Sequence, residues 1–195
     1  MDSKMVKMIM GTEEPSNEIE KSYVEFIRKH LASDNNKLRE DYVCSLLGYE
    51  PSFGGAGFAD GYKPDGTPVD NKSGHNIIFP DGANKNLPVE EWAISKKGNW
   101  DCLVQKFTAD GELIYVAEVP VSCIMEELVT DAKKKINAGG RVSPSVSSAV
   151  WREKKETRIL YKNPKLYERT KKGIVQKVYR DIDNLPYTPS TVITD

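Results

Sequence analysis

The sequence predicts an α+β domain in which helices come first and a mixed, mainly antiparallel sheet with flanking helices follows. Three observations carry this. Apolar residues recur at helical spacing across residues 16–50, β-rich runs around turn residues fill 51–121, and a helical pattern returns after Ser122. A chain of 195 residues can bury a sizeable core as one domain. The expected organisation is a flexible leader over 1–15, a single domain over 16–187 and a loosely held tail over 188–195.

The first fifteen residues, MDSKMVKMIMGTEEP, carry too much charge for a secretory signal and read as a frayed end. In SNEIEKSYVEFIRKHLA, Ser16 or Asn17 caps a helix whose apolar face is Ile19, Tyr23, Phe26, Ile27 and Leu31. A second helix begins after Ser33-Asp34, carries Leu38, Tyr42, Val43, Leu46 and Leu47, and stops at Gly48. PSFGGAGF is too glycine-rich for a helix. GFADGYKPDGTPVDNKS then reads as two short strands around a turn. After a long polar loop, WDCLVQKF and ELIYVAEVPV form a hairpin around Ala109-Asp110-Gly111. Ser122 opens a helix through CIMEELVTDAKKKIN that ends at Gly139-Gly140. A strand is expected around ETRILYK and a further strand or helix near GIVQKVY.

Composition narrows the setting. No apolar run approaches the roughly 18 residues of a membrane-spanning helix. Cys44, Cys102 and Cys123 are odd in number and lack metal-type spacing, which suits free thiols in a reducing, cytoplasmic compartment. Residues 1–130 hold 13 Lys/Arg against 22 Asp/Glu, whereas residues 131–195 hold 15 against 7. A basic last third in an acidic protein suits a polyanionic partner, or simply a solvated basic surface. Two histidines without cysteine partners make no zinc site, and neither a phosphate-binding loop nor a G-x-S-x-G elbow is present.

The chemistry sits in the strand–turn–strand segment. Lys63-Pro64-Asp65-Gly66-Thr67 has the composition of a three-residue hairpin loop, a type I turn closed by a left-handed glycine. Lys63 then pairs with Thr67, and Asp60 falls directly opposite Asp70. Strand alternation puts Lys72 on the same face as Asp70. Facing carboxylates repel, and a divalent metal removes the conflict. Asp60 and Asp70 are therefore the expected metal ligands, Mg²⁺ the expected ion, and Asp60, Asp70 and Lys72 the expected catalytic set. A register slip of one residue would send Asp60 to the other face.

This arrangement resembles the PD-(D/E)xK nuclease superfamily, and within it the type II restriction endonucleases. An Asp on one strand, a D/E-x-K ten residues on and a following serine are matched by Asp60, Asp70-Asn71-Lys72 and Ser73. The preceding LLGYEPSFGGAG and the later GNWDCLVQKFTADGELIYVAEVPVSCI extend the likeness over residues 38–137. The resemblance implies a restriction-endonuclease-like fold, Mg²⁺-dependent hydrolysis of double-stranded DNA, and a homodimer with residues 16–50 as candidate interface. This sequence departs from the pattern in having the shorter Asp70 for glutamate, and Ala56-Gly57 where an auxiliary acid can stand. A homing or junction-resolving nuclease, or a non-catalytic nucleic-acid-binding or assembly module, remains an alternative.

A second acid pair, Asp101 with Glu118, lacks the lysine, because Pro120 stands at that position. For DNA contact the candidates are His75, Asn76, Lys85, Arg141, Ser145, Lys154 and Lys155, with Trp151 and Tyr161 interleaved among the basic runs as stacking or core residues.

Overall fold

The computed structural model describes residues 1–33, 36–52, 58–74, 76–79, 98–139, 143–163, 165–166 and 182–189. Three helices lead: α1 (Ser3–Met10), α2 (Glu18–Ala32) and α3 (Asn36–Leu47). Asp2 caps α1 and Asn17 caps α2 through side-chain oxygens. Residues 1–15 correct the expectation of a frayed leader: Val6, Met8 and Ile9 are buried against α2 and α3. The methionines and isoleucine recur at helical spacing, so burying that face outweighs the terminal position.

Strands β1 (Glu50–Pro51), β2 (Gly61–Tyr62), β3 (Pro68–Ser73), β5 (Asp101–Phe107), β6 (Leu113–Pro120) and β8 (Arg158–Lys162) form one sheet in the order β1-β2-β3-β5-β6-β8. The β3–β5 pair is parallel and the others antiparallel, so the architecture is α+β with a mainly antiparallel mixed sheet. A small second sheet pairs β4 (Ile77–Ile78) with β7 (Ser145–Val146). A short 3₁₀ turn (Val121–Ile124) leads into α4 (Met125–Asn137), and α5 (Ser148–Trp151) precedes β8. Among the described residues no helix is long and apolar enough to cross a membrane.

Apolar side chains fill both faces of the sheet. On one face Ile27, Leu31, Val43 and Leu47 of α2 and α3 meet Val69, Leu103, Val116 and Leu160. On the other, Ile124, Leu128, Ala132 and Trp151 meet Cys102, Val104, Ala117 and Val119. Trp151 and Tyr161 are thus core anchors rather than exposed stacking platforms. On α2 the buried side is Val24, Ile27 and Leu31, while Ile19, Tyr23 and Phe26 are exposed. The buried face is therefore rotated from the expected one and centres on Val24, Ile27 and Leu31.

Residues 186–188 lie along β8 at Ile159. Ile159 donates its N–H to Pro186 O at 2.7 Å and accepts one from Thr188 at 2.9 Å. The stretch GIVQKVY lies outside the described residues.

Candidate active site

The hairpin has the expected register. Lys63 N–H donates to Thr67 O at 2.9 Å, and Gly66 adopts a left-handed φ of 84°. Asp65 stays in the turn, accepting from Thr67 N–H at 2.9 Å. Gly61 pairs with Val69 and Tyr62 with Pro68; Asp60 lies just before β2, outside the paired residues, beside β3. Asp60 is held there twice. Its own N–H donates to Val69 O at 2.9 Å, and its Oδ2 accepts from Asn71 N–H at 2.6 Å.

Lys72 lies one alternation beyond Asp70, and its Nζ is 2.6 Å from Asp70 Oδ1. Both side chains are nearly enclosed, at 13% and 11% exposure. Asp70 and Lys72 thus share β3, and Asp60, just before β2, lies close enough to feel both charges. Burial raises the Asp60 carboxyl above its ordinary range; Asn71 N–H opposes that rise and the Asp70 charge adds to it.

A third acid, Glu40 of α3, joins this field. Burial pushes its carboxyl up to about 7, with Asp60 as the next cause and Asp70 a smaller one. Lys37 steadies this corner, donating to Ser52 O at 2.6 Å and lying 3.2 Å from Asp41. Sequence reasoning missed Glu40, since no local motif links a helix position to a strand twenty residues on. α3 comes close because Gly61 lacks a side chain: a Cβ there would lie 2.7 Å from Cys44 Sγ and 2.8 Å from Glu50 O. Burial also raises the Cys44 thiol to about 11, so it packs beside Asn71 rather than reacting.

The donor set fits a hard divalent cation. Its ligands are carboxylate oxygens, it gathers more negative charge than Lys72 cancels, and one Asp60 oxygen is left beside the one bound to Asn71. Among the described residues no group of three or more His, Cys, Asp or Glu side chains is placed to hold a metal ion.

The second acid pair is a different object. Lys63 Nζ pairs with Asp101 and lies 2.7 Å from Glu118, and Arg158 binds Glu118 Oε1 at 2.7 Å. Tyr49 approaches Glu118 Oε2 at 3.5 Å. Two acids meet two bases, which leaves no surplus charge for a metal. This network fastens the hairpin turn to β5, β6 and β8.

The DNA-contact candidates divide. His75, Lys85 and Arg141 lie outside the described residues. The β4–β7 pairing brings Asn76 and Ser145 into one region, where both already make internal bonds. Asn76 Oδ1 accepts from Ser148 N–H at 3.3 Å. Ser145 donates through N–H and Oγ to Asp131, and Lys135 donates to its Oγ. Lys154 is bound to Glu127 at 2.5 Å, and Lys155 is exposed.

No known family model matches the chain, and no curated protein matches it.

Proposed function

We propose that the protein is a Mg²⁺-dependent endonuclease that hydrolyses phosphodiester bonds of double-stranded DNA, of the sequence-specific restriction type and acting as a homodimer. The observation that carries this reading is the juxtaposition of Asp60 and Asp70 with Lys72 closed onto Asp70. Asp60 and Asp70 would hold the ion. Bound there, Mg²⁺ would supply Lewis-acid stabilisation of a phosphate oxygen and a more acidic water.

The chain's own residues do the rest. Asn71 N–H holds one oxygen of the Asp60 carboxylate, which would leave the other for the ion. Asp70 orients the Lys72 ammonium, whose other N–H bonds serve to hold the attacking water or the charge growing on the phosphate. Glu40, with its carboxyl near 7, is placed to hold or release a proton around neutral pH.

The test is incubation with DNA of genomic complexity and Mg²⁺, followed by sequencing of the fragment ends. A common end sequence that disappears with D70A and K72A is the expected result. Cleavage that persists in both variants removes the site assignment, and absence of cleavage by the wild type favours a binding module.

A further inference from the structure

The Lys72 ammonium has a second neighbour that the metal-site chemistry does not use. Its Nζ stands 4.7 Å from the centroid of the Phe79 ring, in addition to its carboxylate contact at 2.6 Å. We infer that Phe79 is a positioning residue: its ring face fixes the Lys72 ammonium between π cloud and Asp70, leaving it aimed at the reacting phosphate. This rests on the nuclease reading of the same site.

Two features set ring and lysine apart. Phe79 is 2% exposed, packs in the cluster of Ile77, Val104, Val146 and Trp151, and donates its N–H to Pro144 O at 2.9 Å. Its orientation is set by the core. Lys72, by contrast, has a four-carbon stem with many rotamers, and a compact ammonium is held only by what surrounds it. The negative ring face attracts the cation, and the attraction strengthens where water is excluded, as it is around this side chain. An ammonium carries three N–H donors. Asp70 takes one and the ring face draws a second, so the third is directed rather than free to swing towards Asp60.

Fluorinated phenylalanines at position 79, carrying one, two or three fluorines, keep the shape and weaken the ring face stepwise. Log kcat for Mg²⁺-dependent cleavage should fall in proportion to fluorine number, about ten-fold across the series. KM for DNA and thermal stability should hold. A flat rate across the series would overturn the inference, since a packing role follows shape. F79L provides the second arm, with similar volume and no ring. A separate readout needs no activity: the Lys72 ε-methylene protons should resonate upfield under the ring current and return to ordinary values in F79L. Ordinary shifts in the wild type overturn the contact whatever the cleavage result. Upfield shifts in a protein that cuts no DNA keep the contact and dismiss the nuclease reading, and with it the catalytic role given to Phe79.

Discussion

The carboxylate of Asp60 accepts a hydrogen bond from the backbone N–H of Asn71 at 2.6 Å, so one acid of the pair grips the residue adjoining the other. The bond holds two negative groups together that would otherwise separate. Asp60→Asn keeps an acceptor for Asn71 N–H and removes the charge. The variant should match or exceed the wild type in urea denaturation without metal, yet lose at least about a hundred-fold in Mg²⁺-dependent cleavage. Asp60→Ala loses the acceptor as well and should be less stable than Asp60→Asn by about 1–2 kcal/mol.

Glu40 makes stability depend on pH in a defined direction. Its folded pKa of about 7 lies above the ordinary 4.5, so the folded state holds its proton more tightly than the unfolded chain. The stabilising proton is fully present below 4.5 and lost as pH rises through about 7. Glu40→Gln should therefore equal the wild type at pH 4 and be more stable at pH 8, by roughly 1–3 kcal/mol. Millimolar Mg²⁺ should narrow the gap, because a nearby cation favours the charged carboxylate. Thermal unfolding across the pH range with and without the ion checks both statements.

Lys63→Met should be among the most destabilising single changes in the hairpin. It leaves Asp101 and Glu118 buried with Arg158 as the remaining base of the network. Removal of one partner from such a group costs about 3–5 kcal/mol. The triple variant K63M/D101N/E118Q should recover much of that loss, measured by the urea midpoint.

Gly61→Ala tests the approach of α3. The added methyl would meet Cys44 Sγ at 2.7 Å and Glu50 O at 2.8 Å. A loss of about 1–3 kcal/mol is expected. Cys44→Ala in the same chain should restore only part of it, because the carbonyl contact belongs to the backbone.

The site's two strands were legible in the sequence because their register is local. A turn of defined composition fixes Lys63 opposite Thr67, and alternation carries that pairing to Tyr62 with Pro68 and Gly61 with Val69 without tertiary information. The hairpin of β5 and β6 was legible for the same reason, with Gly111 at φ 86° closing its turn. Glu40 and Phe79 were not. One reaches the site from a helix that packs on the sheet, the other through the β4–β7 pairing that seats Phe79 beside Pro144. Both placements depend on contacts distant in sequence. The leader was misread because a short charged segment at a terminus has little local propensity, and burial of Val6, Met8 and Ile9 decides its state. Ile19, Tyr23 and Phe26 show the limit of periodicity: α2 carries apolar residues on two faces, and spacing does not say which one meets the core.

Lys63 begins the turn that aligns the two aspartates, and its ammonium ends among the acids of the central strands. A hairpin shifted by one residue would carry that ammonium to the opposite face and strand Asp101 and Glu118 short of a base. The misaligned fold would therefore suffer far from where the error arose. The inner network acts as an error check on the outer pairing, so the register of the hairpin is verified by the core.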